Sequence, residues 1–137
     1  MKWFKDDEMR CGCCGELPPF VMENIEALVR EVLDPAREKL GKAVTVTSGY
    51  RCQKHNRAVG GSMNSQHLYG EAADITAGSP EDNMRLVRLI VKNGRWDQMI
   101  LYRSFIHVSW KKAGGNRKEI LRKMANGYVR VREGDSI

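Results

Sequence analysis

Apolar positions in this chain switch between helical and strand periods. In "FVMENIEALVREVLDPAREKL", Ile25, Leu28, Val29, Val32 and Leu33 recur at helical spacing and form one stripe. Pro18 and Pro19 open that segment, Pro35 is expected to kink or restart the helix, and Gly41 to end it. "KAVTVTS" alternates and is β-branched, which predicts a strand. The next stretch, "SGYRCQKHNRAVGGSMNSQHLYGEAADI", is polar and glycine-rich. It reads as a long loop with a helical turn around Gln53–Asn56, and its end, "EAADI", as a short strand. "AGSPEDNMRLVRLIVKNG" predicts a helix: Ser79 as N-cap, Pro80 at the first position, and Asp82 completing a capping-box-like pair. Leu86, Leu89 and Ile90 are expected to face the core, and Gly94 to stop the helix. "WDQMILYRSFIHVSW" predicts two strands joined at Arg103–Ser104. "EILRKMANGYVRVRE" predicts a hairpin about Asn126–Gly127, or a short helix followed by a strand. The mixture is the α+β pattern, a small antiparallel sheet packed against two or three helices.

A chain of 137 residues suits a single domain, 1–137, with residues 1–19 as a cysteine-containing N-terminal segment. No apolar run approaches the roughly 18 residues that span a bilayer. "MKWFKDDEMR" breaks into charge too early for a signal peptide, and the chain is expected to act as a monomer. The net charge of +6 favours a polyanionic partner such as nucleic acid, an anionic membrane or cell-wall polymer. The basic residues scatter through "RLVRLIVKNGR", "SWKKAGGNRK" and "YVRVRE" without interleaved aromatics, which weighs against nucleic acid. Cys11, Cys13, Cys14 and Cys52 leave three readings open. "CGCCG" resembles half of a metal knuckle that Cys52 and a histidine would complete; a disulfide to Cys52 is equally compatible; so are free thiols.

Chemistry concentrates in the polar stretch. His67 and Asp74 are seven residues apart, with Gly70 between them to turn the chain, and His107 lies on a predicted strand. Two imidazoles and a carboxylate are a zinc set that leaves one position open. "SGYR", "VGG", "SQHLYGEAADI", "WDQMI" and "HVSW", in that order, closely resemble the M15 zinc peptidases, over roughly Ile25 to Arg117. That family includes D-Ala-D-Ala carboxypeptidases, dipeptidases and phage endolysins that cut peptidoglycan stem peptides. The resemblance implies one zinc ion held by His67, Asp74 and His107. It also implies a substrate-holding arginine at Arg51, a substrate-contacting serine at Ser65, and a peptidoglycan peptide as partner. It leaves a cytoplasmic enzyme and a lysin released to the cell wall both open.

One part of that pattern is missing. Related peptidases carry an acidic base three residues before the last histidine ligand, here Ser104, or at the end of the strand before it, here Tyr102. A turn at Arg103–Ser104 pairs Tyr102 with Phe105, Ile100 with His107, and Gln98 with Ser109. Alternation then places Gln98, Ile100 and Tyr102 on the His107 face, with Asp97 pointing away and Glu71 opposite Asp74. Gln98 is therefore expected to contact substrate, and Tyr102 to donate a hydrogen bond to a developing oxyanion. His55 is a replacement base if the loop folds over the metal. A zinc-bearing module that binds wall peptides without cutting them is the alternative.

Overall fold

The computed structural model describes residues 1–132 and 135; residues 133, 134, 136 and 137, the end of the expected domain, lie outside the described residues. The elements run α1 (Asp6–Met9), α2 (Pro19–Leu28), α3 (Asp34–Leu40), β1 (Thr45–Ser48), α4 (Gln53–Ala58), β2 (Ala72–Thr76), α5 (Pro80–Asn93), β3 (Gln98–Leu101), β4 (Ile106–Ser109), β5 (Glu119–Met124) and β6 (Gly127–Arg130). A 3-10 turn at Gln66–Tyr69 precedes β2.

The first long helix restarts at Pro35, which stands in the first turn of α3. The rod widens into a π turn over Val29–Leu33 and continues as α3. Proline has no N–H and its ring crowds the carbonyl four residues back, here that of Glu31. That carbonyl accepts a hydrogen bond from Asn93 Nδ2 instead, at 3.1 Å, which ties the rod to α5. Every predicted stripe residue is buried. On α5, Leu86, Val87 and Ile90 are buried, while Leu89 is half-buried against the core. Ser79 Oγ accepts from the Asp82 amide at 3.1 Å, but the Asp82 carboxylate pairs with Lys42 and Arg85, so the expected box is half made. Gly41 (φ 70) and Gly94 (φ 78) close the two helices in the left-handed conformation.

The six strands lie in the order β1-β2-β4-β3-β5-β6. Ile100 faces His107, Met99 faces Val108, and the Tyr102 amide donates to the Phe105 carbonyl, as the turn at Arg103–Ser104 requires. The final hairpin forms, but its turn is Ala125–Asn126: Gly127, at φ 122, already pairs with Met124 as the first residue of β6. The sheet is not wholly antiparallel: β5 pairs with β3 in parallel, Gln98 opposite Glu119. After β4 the chain skips over β3, through a loop clamped by mutual bonds between Lys111 and Asn116. Alternation within a strand identifies its faces, not its partner or direction. Ala73, Ile75, Met99, Leu101, Ile106 and Val108 line the buried face. Asp74, Ile100 and His107 occupy the other.

Asp97 stands fully buried before β3. Its carboxylate accepts from Arg117 Nε (3.0 Å) and Nη2 (2.9 Å), the Arg117 amide (2.8 Å) and Gln66 Nε2 (3.0 Å). Burial alone would raise its pKa, but Arg117 and Gln66 outweigh it and hold the carboxyl down to about 2. An unfolded carboxyl titrates near about 3.9, so this stabilisation is complete above about pH 4 and lost as pH falls toward 2. Asp97→Asn should lower stability by about 3 kcal/mol at neutral pH, the low end for a broken buried pair because Arg117 is half-exposed. It should also flatten the loss of stability below about pH 4, as read from urea unfolding across that range.

Candidate metal centre and its cleft

The centre rests on local turns. Ser65 Oγ accepts from the His67 amide at 3.3 Å and starts the 3-10 turn that carries the ring. Gly70, at φ 74, reverses the chain into β2, which delivers Asp74. A Cβ there would meet the Val21 carbonyl at 2.8 Å, so glycine is required on both counts. β4 delivers His107 directly beside Asp74.

His67 Nδ1 lies 2.7 Å from the Gly49 carbonyl. Only a protonated Nδ1 can bond there, so the neutral ring turns the lone pair of Nε2 toward Asp74 Oδ1, 3.2 Å away. His107 Nδ1 approaches the same oxygen at 3.1 Å. Ligands about 2.0–2.1 Å from a tetrahedral ion sit about 3.3 Å apart, so these separations fit a shared cation. A cation between the imidazole nitrogens and the buried carboxylate would satisfy all three, and zinc suits this N2O donor set. Burial opposes ionisation of Asp74, but His107 and His67 hold its carboxyl well below the ordinary carboxylate range. Burial pushes His107 down, toward the neutral form that ligates.

The three side chains form the floor of an open cleft of about 770 Å³. Arg51, Ser65, Gln98 and Tyr102 all line it. Arg51 differs from expectation: its guanidinium is engaged, by Ser48 Oγ at 3.0 Å and Asp74 Oδ2 at 3.1 Å, with Asn56 Oδ1 at 3.5 Å. It therefore braces a ligand as well as facing the cleft. Gln98 Nε2 donates to Glu119 at 2.6 Å. Tyr102 stacks on Phe105, and its hydroxyl lies 3.4 Å from that of Tyr128. Burial and the Tyr128 hydroxyl both raise the Tyr102 pKa, so the phenol keeps its proton.

Two expectations fail. His55 does not fold over the centre; it lies against Cys11, Nδ1 to Sγ 3.4 Å, among the cysteines. Glu71 does not point away: it lines the cleft and receives Gln66 Nε2 at 3.4 Å. The regular strand begins only at Ala72, so alternation cannot be extended back to Glu71. Among the described residues that line the cleft, Asp74 and Glu71 are the carboxylates. Sequence reading also missed Asn56, the Gly49 carbonyl and Tyr128. The first two act through backbone and loop geometry, and the third arrives from the last hairpin, so no local pattern marked them.

An α+β sheet that holds two imidazoles and one carboxylate under an open cleft defines a mononuclear metal site with a free coordination position. The chain belongs to the Peptidase M15 family, whose model matches residues 2–109 and so takes in the cysteine-containing segment as well. Over 48 residues, 34% of this chain, it is 48% identical to the zinc D-Ala-D-Ala carboxypeptidase of Streptomyces albus G. That stretch is only 19% of the curated relative's length. The solved L-Ala D-Glu endopeptidase ChiX of Serratia marcescens aligns over 69% of this chain and 89% of its own, at 16% identity and a TM-score of 0.47.

Because Arg51 grips Asp74, Arg51→Ala should weaken zinc binding at this centre by about 10–100-fold, the usual range for a residue that orients a ligand. Competition with a chromophoric chelator measures it. Unchanged affinity would mean that the guanidinium does not organise Asp74.

Proposed function

We propose that the protein is a zinc peptidase acting on the D-amino-acid-containing stem peptides of peptidoglycan. The convergence of His67, Asp74 and His107 at the floor of an open cleft carries this reading. Family membership and the partial match to a zinc D-Ala-D-Ala carboxypeptidase support it. The chemistry zinc supplies when bound is polarisation of a carbonyl and acidification of water toward neutrality.

The chain's own residues divide the remaining work. Arg117 and Lys111 flank the cleft with positive charge, which suits a substrate bearing carboxylates. Ser65 and Gln98 contact the peptide. Arg51 fixes Asp74 and presents its edge to a substrate carbonyl or terminal carboxylate. Tyr102, held as a phenol, donates to the oxyanion. Tyr102 cannot take a proton at neutral pH, so a Glu71 carboxylate oxygen accepts the proton that the attacking water gives up and delivers it to the leaving amine.

Incubation of the zinc-loaded protein with purified peptidoglycan should generate new amino termini or free D-alanine. New termini within the stem identify an endopeptidase, and release of terminal D-alanine a carboxypeptidase. Retention on peptidoglycan with neither product would establish a binding module instead. Glu71→Gln should lower kcat by about 10²–10⁴-fold with zinc retained. An unaltered kcat would assign the proton to another group. Tyr102→Phe should lower kcat by about 10²–10³-fold, the cost of one oxyanion donor, with little change in KM.

A further inference from the structure

The cysteines form a second constellation, separate from the cleft. The Sγ atoms of Cys11, Cys14 and Cys52 lie within 4.8 Å of one another. His55 Nδ1 sits 3.4 Å from Cys11 Sγ. The four residues fall in two matched pairs, Cys11-x-x-Cys14 on the N-terminal segment and Cys52-x-x-His55 at the start of α4. We propose that Cys11, Cys14, Cys52 and His55 bind a second zinc ion, a closed structural site that pins the N-terminal segment to the loop bearing Arg51.

The local geometry is that of a metal knuckle. Residues 12–14 turn tightly, Gly15 adopts φ 70, and its amide donates to the Cys11 carbonyl at 2.9 Å. The Cys52 amide approaches Cys11 Sγ at 3.5 Å, and the amides of Cys13 and Cys14 point to the same sulfur. The His55 amide approaches Cys52 Sγ at 3.4 Å, making Cys52 the N-cap of α4. Backbone donors gathered on sulfur are what thiolates need, and a neutral thiol is a poor N-cap. In a tetrahedral site with Zn–S near 2.3 Å and Zn–N near 2.0–2.1 Å, a sulfur and a nitrogen stand about 3.5 Å apart, close to the separation of Cys11 from His55. The His55 ring lies on Gly12, where a Cβ would meet its Cε1 at 3.0 Å, so position 12 gives way for the imidazole. Binding zinc replaces the three thiol protons, which leave to solvent; no oxidant enters.

Cys13 is the competing fourth ligand. Its thiol interacts with Cys52 but lies outside the group formed by Cys11, Cys14 and Cys52, whereas His55 touches the buried Cys11. A disulfide is the competing use of the sulfurs, yet all four cysteines are free thiols here. Three sulfurs within 4.8 Å of one another, with an imidazole against one of them, exceed what a single disulfide uses.

The site has a structural consequence. Cys52 directly follows Arg51, and the Tyr50 amide donates to the Met9 carbonyl at 2.9 Å. A Cβ on Gly49 would meet Met9 Cα at 2.7 Å. The metal would thus clamp a contact that already lies beneath the Gly49 carbonyl, the partner of His67.

The test uses the full chain purified under reducing conditions with zinc. The protein should carry about two zinc ions per chain by native mass spectrometry, and the His67→Ala/His107→Ala variant about one. Titrating that variant with an organomercurial should release its zinc. Replacing its zinc with cobalt should give thiolate-to-cobalt charge-transfer absorption with the intense visible bands of a tetrahedral centre. Cys13→Ser should leave this metal in place, and His55→Ala should weaken it. The unmutated protein, cobalt-loaded, gives the same charge-transfer readout even if a ligand variant does not fold. Absence of that absorption, or a Cys11 disulfide in the isolated protein, overturns the site. Loss of metal in Cys13→Ser with retention in His55→Ala overturns the ligand set.

Discussion

One buried carboxylate organises this protein. Asp74 gives one oxygen to two imidazoles and the other to a guanidinium, while only 5% exposed. An isolated carboxylate in such a place would cost several kcal/mol, so the native strand depends on all of these partners being in place. Each of them is held by something else: His67 by the Gly49 carbonyl, Arg51 by Ser48 and Asn56, and His107 by the pairing of β4 with β2. The centre is therefore a meeting of four chain segments, and the rest of the fold serves to keep them in register.

That dependence explains why small residues matter around it. A Cβ on Gly61 would lie 2.0 Å from Asn56 Oδ1, which would displace the buried amide that holds Ser62 and touches Arg51. Asp97 plays the same part behind the cleft wall, binding Gln66 and Arg117 and so joining the 3-10 turn to the loop before β5. Two buried carboxylates brace the cleft, Asp74 at its floor and Asp97 behind its lining residues Gln66 and Arg117.

What could be read in advance was what local periodicity encodes. The helical stripe, the hairpin register through Ile100 and His107, and the existence of the last hairpin all depend on neighbours within a few residues. His67, Asp74 and His107 were legible because their motifs survive intact, and the α+β class because helical stripes occur beside hairpin-forming strands. What escaped depends on distant chain. The parallel pairing of β5 is decided by a crossover, the π turn by an asparagine some sixty positions from its carbonyl partner, and the place of His55 by cysteines near the N-terminus. Glu71 was misassigned because a strand rule was applied one residue before the strand begins.

The outer strands bear on how molecules meet one another. β1 and β6 are the sheet's two edges, and each is four residues long. Unpaired edges invite strand-to-strand joining, and shortness with basic side chains discourages it. β6 carries exposed Tyr128 and Val129, but Lys123, Arg130 and Arg132 surround them. Like-charge repulsion between such edges acts over a Debye length of about 10 Å at 0.1 M salt and shrinks to about 3 Å at 1 M. Colloidal behaviour is thus coupled to ionic strength: dilute buffer keeps the edges apart, and concentrated salt screens the repulsion that guards the apolar pair at β6.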